Sequence, residues 1–246
     1  MKSKFLMTVA MATAMNVMYA QDAPKPAPLN ISGTVDAYYR YASDSAGAKT
    51  AFTPTPNGFA LGMADLTLSK EVGKVGFFSS LSFGPRAEGI GYAIGSDGRS
   101  WASLRQLYVY YKPTDKLKFT LGTFNTHIGY ELNEPTNMNY SLSYMFSYGP
   151  FFHTGLKAEY ALTSELTAMV GIFDDTDSKT DAVKGKHIGA QLAYSKGKFK
   201  GYLNYLNGQE TAFTSINQLD LVATFQATEE LGLGLNVTNK SVKPEG

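Results

Sequence analysis

From Asn30 onward, apolar and polar residues alternate along the chain with a period of two. Ile31, Gly33, Val35, Ala37, Tyr39 and Tyr41 form one uncharged face, while the opposite face carries Asp36 and Arg40. Alternation of this kind predicts a strand with one apolar and one polar side, since a helix would repeat every 3.6 residues. The same pattern places Ala60, Gly62, Ala64, Leu66 and Leu68 opposite Asp65, Thr67 and Ser69. Val75, Phe77, Ser79, Leu81 and Phe83 oppose Gly76, Phe78, Ser80, Ser82 and Gly84. Similar runs fall near 101–112, 117–124, 151–161, 165–173, 186–195, 199–207, 217–227 and 231–239. In the last two, Leu219, Leu221, Ala223 and Phe225 oppose Gln218, Asp220, Thr224 and Gln226, and Leu231, Leu233, Leu235 and Val237 oppose Gly232, Gly234, Asn236 and Thr238.

The connections alternate too. Short charged turns are expected at 70–74, 113–116, 162–165, 196–198 and 228–230. Longer stretches rich in Gly, Ser, Asp, Asn and Pro lie between them, at 43–58, 85–100, 125–150, 174–185 and 208–216. Short turns at one end and long loops at the other describe an up-and-down meander. Strands of roughly 9–13 residues exceed the usual globular length and suit a tilted membrane crossing. The small polar residues of one face suit a water-facing wall better than a packed core. The expected fold class is therefore all-β, an antiparallel up-and-down transmembrane β-barrel with apolar residues towards lipid. Trp101, Tyr108, Tyr110, Tyr111, Phe173, Tyr202 and Tyr205 stand near strand ends, where aromatic girdles meet the membrane interface. A secreted β-sandwich is the soluble alternative.

Composition narrows the picture. Charged residues are 17% of the chain, the 22 basic and 21 acidic residues nearly cancel, and 13% of residues are aromatic. That balance argues against a nucleic-acid binder, and with no cysteine there is no disulfide, thiolate metal site or cysteine nucleophile. Residues 1–20 read as a cleaved secretory signal peptide: Lys2 and Lys4, an apolar stretch from Phe5 to Met18, and Ala20 before Gln21. That stretch is too short to span a bilayer. Residues 21–29 form a Pro-rich lead-in and 30–246 the barrel.

No motif points to catalysis or to a cofactor. His127, His153 and His187 lack metal-ligand spacing, and there is no Gly-x-Ser-x-Gly elbow. A hydrolase carried on the barrel wall stays open as an alternative, because Ser and Asp are abundant. Asp174, Asp175, Asp177 and Asp181 crowd one loop without the pattern of a calcium hand. With the polar faces turned inward, Asp36, Arg40, Asp65, Lys118, Lys157, Glu159, Lys200 and Asp220 become candidate wall residues. Charge on a lumen wall filters ions and solutes. Both signs occur, so weak selectivity is expected.

The stretch 122–155 carries recognisable motifs. It reads Gly122-Thr123-Phe124, His127-Ile128-Gly129-Tyr130-Glu131, Asn137-Met138-Asn139-Tyr140-Ser141, Ser143-Tyr144 and Gly149-Pro150-Phe151-Phe152-His153-Thr154-Gly155. Together with Ser32-Gly33-Thr34-Val35-Asp36-Ala37-Tyr38-Tyr39, it resembles the OmpL-like beta-barrel porin-2 family of Gram-negative outer membranes. The resemblance implies an outer-membrane barrel that passes small hydrophilic solutes by diffusion, with membrane lipid and those solutes as partners. In porins a long loop can fold into the lumen, and here 125–150 would bring Glu131 and Glu134 as constriction carboxylates; a loop over the barrel mouth is the other reading. Such barrels have an even number of strands and end on a strand with an aromatic residue. Eleven candidate strands and the ending Lys243-Pro244-Glu245-Gly246 instead suggest a barrel incomplete at its C-terminus, or a twelfth strand inside 125–150.

Overall fold

The structure is a computed structural model and describes residues 27–43, 52, 53, 55, 57–87, 103–131, 140–181 and 184–244. The expected leader, Trp101 and Glu134 lie outside these residues. The strands are β1 (Asn30–Arg40), β2 (Gly58–Val72), β3 (Val75–Phe83), β4 (Leu104–Thr114), β5 (Leu117–Asn125) and β6 (Phe152–Ala161). They continue as β7 (Leu166–Phe173), β8 (His187–Lys196), β9 (Phe199–Thr211), β10 (Thr214–Gln226) and β11 (Gly232–Pro244). Two short helical turns occur, α1 (Pro85–Ala87) and α2 (Tyr144–Tyr148). All eleven strands form one antiparallel sheet in sequence order, which excludes two packed sheets and so the β-sandwich. Among the described residues β1 and β11 are the two edges.

Register shows how the two faces are built. Tyr160, Ala168, Leu192, Leu203, Leu221 and Val237 lie side by side across β6 to β11 on the outer face. One residue along, Lys118, Glu159, Met169, Gln191, Asn204, Asp220 and Thr238 form the inner row. Leu221 is 43% exposed and Asp220 1%. A charge buried on the inside and a leucine bare on the outside invert the arrangement of a water-soluble protein. The outer face continues through Leu107, Val109, Leu121, Leu156, Val170, Ile172, Ile188, Leu219, Leu233 and Leu235, all exposed. No helix among the described residues is long and apolar enough to cross a membrane, which says nothing of a β-barrel.

Several sequence expectations are corrected here. The apolar face of β2 switches sides at a bulge. Val35 pairs with Ala64 but Ala37 with Leu61, so Asp36 opposes both Gly62 and Met63. Phe59 and Leu61 therefore point outward, in place of Ala60 and Gly62. A side chain on Gly62 would lie 2.0 Å from the Asp36 carboxylate, so glycine makes room for the bulge. A second extra residue, Arg105, interrupts the β3–β4 ladder. The expected loop 208–216 is a tight turn: β9 runs to Thr211, β10 starts at Thr214, and these two residues pair. Its polar residues belong to strand ends standing in water beyond the apolar band. For the same reason β11 continues to Pro244, past Asn239, where the last alternating run was expected to end. Tyr108, Tyr110 and Phe173 are not girdle residues. Their register turns them inward, and Phe173 is 1% exposed.

An arginine on the outer face must be placed in lipid, whereas one on the inner face reaches water. Leu221→Arg, at mid-strand, is expected to destabilise the folded protein by about 2–4 kcal/mol. Thr224→Arg, on the opposite face, should cost under about 1 kcal/mol. Urea unfolding in lipid vesicles checks the pair, and equal damage from both would contradict the assignment of the faces.

Candidate functional site

The polar inner face of the sheet receives the described residues that follow β5, 126–131 and 140–151. After β5 the chain turns inward at Thr126, whose Oγ1 accepts from the Ile128 amide (3.1 Å). His127 Nε2 lies 2.9 Å from the Tyr205 carbonyl on β9, and the Gly129 amide donates to Asp220 Oδ2 on β10 (2.9 Å). On the far side of the sheet, the Tyr140 hydroxyl donates to Asp36 on β1. The inserted segment is thus tied to both ends of the strand order. Glu131 braces it from within by accepting from the amide and hydroxyl of Ser143. Ser143 also caps α2 through Phe146 N (3.3 Å). No local sequence signal marks the tie between Gly129 and Asp220, which lie 91 residues apart.

Packing fixes the segment against one wall. Ile128 joins Phe124, Phe173, Leu206 and Ile216 in a buried cluster edged by Tyr108. Phe173 stacks on His153 with ring centres 4.5 Å apart, and His153 lies 5.2 Å from His127. This layer is possible because Gly171 and Gly189 pair beneath it. A Cβ on either would come within 2.4 Å of the Phe173 ring. A second cluster of Phe52, Leu142 and Phe152 holds the later part of the segment with Phe146 and Phe151.

Each charged residue singled out in the sequence now has surroundings. Asp220 accepts from Asn204 Nδ2 (2.8 Å), Asn236 Nδ2 (2.7 Å) and Gly129 N, so it acts as a tether. Asp65 is 8% exposed, accepts from Ser80 and Ser82 (2.9 and 2.6 Å), and pairs with Arg105 at 3.2 Å. Asp36 accepts from Met63 N (2.6 Å) besides Tyr140. Arg40 donates to the Thr53 carbonyl (2.7 Å). Lys118 pairs with Glu159 at 2.7 Å, and Lys157 lies 3.9 Å from Glu159 with its ammonium 4.8 Å above the Phe124 ring. These three form a mixed-charge group on the inner wall, away from the Asp65–Arg105 pair. Lys200 is exposed near the short-turn end of β9. Arg86, on α1, is 1% exposed and stacks on Tyr140; it lay inside the expected loop 85–100 and nothing in the sequence singles it out.

The histidines do not assemble a hydrolase. His153 Nε2 lies 2.9 Å from Thr126 Oγ1, but its Nδ1 is buried without a partner, so no carboxylate orients the ring. His187 meets Thr176 (3.3 Å) and Glu210 (3.4 Å) through the same nitrogen, Nε2, and cannot relay a proton between them. Among the described residues no group of three or more His, Cys, Asp or Glu side chains is placed to hold a metal.

The loop after β7 closes over the entry to β6. Asp177 Oδ1 accepts from the amides of Phe151 (2.6 Å) and Phe152 (3.0 Å). Burial nevertheless pushes this carboxyl up to about 6, outweighing the two amide donors that favour its charged form. Because the folded value exceeds the unfolded one, the folded loop binds the extra proton, and its stability falls as pH rises from about 4 to about 6. Asp177→Asn keeps the acceptor and removes the charge. Proteolysis within 174–186 should accelerate between pH 4 and 7 in the wild type relative to this variant; parallel profiles would contradict the burial argument.

Asp220→Ala leaves one buried amide and two side-chain donors without an acceptor. A loss of about 2–4 kcal/mol is expected, together with faster proteolysis of segment 126–151. Asp220→Asn, which retains an acceptor, should lose less in the same assay.

The profile described as putative beta-barrel porin-2, OmpL-like, matches residues 28–243. Among curated proteins none matches the chain. Among solved structures, a BenF-like porin from Pseudomonas fluorescens Pf-5 aligns at 13% identity and a TM-score of 0.43, over 89% of this chain and 59% of that one. A loop-L8 deletion mutant of OmpT, an outer membrane protein of Vibrio cholerae, aligns at 10% identity and 0.43, over 89% of this chain and 83% of that one. OpdQ of Pseudomonas aeruginosa aligns at 13% and 0.37, over 75% and 50%. The chain spans less than two thirds of the length of the BenF-like porin and of OpdQ.

Proposed function

Because the chain belongs to the OmpL-like beta-barrel porin-2 family, a family of outer-membrane β-barrels, we propose that it is a porin through which small hydrophilic solutes or ions diffuse passively. The observation that carries this reading is the pair of neighbouring rows on β10: Leu221 bare on the outside and Asp220 buried on the inside. An apolar exterior suits lipid, and a polar interior suits a water-filled path. Residues 1–20 serve as a cleaved export signal, and the mature protein resides in the outer membrane in contact with its lipid.

Residues 126–131 pack on the β5–β10 wall and Tyr140 reaches Asp36 on β1, so these two described stretches narrow the lumen. Along the path Asp36, Arg40, Asp65, Lys118, Glu131, Lys157, Glu159, Lys200 and Asp220 contribute in two ways. Asp36, Asp65, Glu131 and Asp220 hold the narrowing in shape through the hydrogen bonds above. Lys118, Lys157 and Glu159 present net positive charge, one unit for the three, to passing ions. Glu134, the other carboxylate expected there, lies outside the described residues.

Purified protein refolded into a planar bilayer should give discrete conductance steps. Reversing Lys157 to Glu should shift the reversal potential towards cation preference, and the shift should shrink in 1 M salt, where the Debye length is about 3 Å against ~10 Å at 0.1 M. A folded protein with no conductance would reject the pore.

A further inference from the structure

Arg86 is buried, and among the described residues no carboxylate pairs with it. The residue follows β3 on α1, and its side chain is buried, with 1% of its surface exposed. Its Nη2 donates to the Tyr140 carbonyl at 2.5 Å, and its guanidinium lies 4.1 Å from the centre of the Tyr140 ring. Its Nε and Nη1 are buried and have no hydrogen-bond partner. A carbonyl and a ring face stabilise a guanidinium without neutralising it. Burying a charge is costly unless it is paired, and arginine stays protonated under all conditions in which proteins fold.

Among the described residues, Asp36, Asp65 and Glu131 are engaged with other partners. Asp36 lies on the other side of Tyr140, engaged by the Tyr140 hydroxyl and Met63 N. Asp65 pairs with Arg105 and accepts from two serines. Glu131 accepts from Ser143. Arginine's planar, weakly hydrated head and its fixed donors match oxyanions such as carboxylate and phosphate.

From this the geometry points to Arg86 as an anion-binding residue that takes a small oxyanion, carboxylate or phosphate, between the inserted segment and the β1–β3 side of the sheet. The anion accepts from Nε or from Nη1, the two nitrogens without acceptors; their N–H groups diverge, so one small anion meets one of them. Tyr140 holds the guanidinium in place, and Asp36 holds Tyr140, so the site is built from three elements distant in sequence. The route by which the anion enters rests on the pore reading; binding itself does not.

The test uses the full mature chain refolded in detergent, with thermal unfolding followed in chloride, acetate and inorganic phosphate at one ionic strength. An anion that binds only the folded state raises Tm with its concentration. A rise of about 3 °C or more per tenfold increase above the dissociation constant is expected with phosphate or acetate over chloride. A response to one of the two identifies the oxyanion as phosphate or carboxylate. R86M should lose this response, and in chloride it should be at least as stable as the wild type, because an unpaired buried charge has been removed. R86Q makes the same comparison should R86M fail to fold. A wild type that responds no more to either oxyanion than to chloride, or a folded R86M or R86Q that responds equally, would overturn the proposal. Conductance measured on the same preparation separates the two readings: anion-dependent stability without conductance retains the anion site and rejects the pore.

Discussion

Every strand in this fold answers one constraint: backbone N–H and C=O groups facing an apolar medium have only other strands as partners. The continuous antiparallel ladder from β1 to β11 follows from it, and so does the division of each strand into two solvents. Pairing places neighbouring residues of adjacent strands at one height and on one side. A residue's parity therefore fixes whether it meets lipid or the interior, and a row such as Leu192, Leu203, Leu221 and Val237 emerges from four separate stretches of sequence. Where parity must change, the chain adds a residue. The bulge at Gly62–Met63 does this at Asp36, and the extra Arg105 does it beside Asp65. The first lies opposite Asp36, and the second adds Arg105 to the inner face beside Asp65.

Filling the interior is the second consequence. A wall of glycine, serine and threonine leaves space, and the described stretches 126–131 and 140–151 take part of it with apolar layers and long-range hydrogen bonds. Gly171 and Gly189 make room for Phe173, whose ring then stacks with His153. Asp220 and Asp36 receive the segment at opposite ends of the strand order. A buried carboxylate with three donors is strongly favoured over one facing hydrocarbon, so charge on this inner wall organises the chain that follows β5.

Much of this arrangement was legible in the sequence. Two-residue alternation is a local property, and it placed Leu219, Leu221, Ala223 and Phe225 together on the outer face, where the register has them. The short turns were readable because charge and glycine interrupt the apolar period. Three things were hidden, each for a physical reason. Strand ends beyond the apolar band are as polar as loops, so Gly208–Thr211 and Lys240–Pro244 looked unstructured. Bulges shift parity without altering composition, which put Ala60 and Gly62 on the wrong face. Contacts inside the lumen join residues far apart in the chain. Nothing near Asp220 announces Gly129, and nothing near Arg86 announces Tyr140. The length of 125–150 marked it as a functional loop, while its direction, inward, depends on partners supplied by β1, β9 and β10.

The central claim is that the inserted segment lies within the lumen and sets the width of the path. Single-channel conductance of the refolded protein, compared with a variant in which residues 127–150 are replaced by a short Gly-Ser linker, tests it most directly. The account predicts a several-fold larger conductance in the variant, with the sheet still folded by circular dichroism. Equal conductance in the two folded proteins would place the segment away from the path and contradict it.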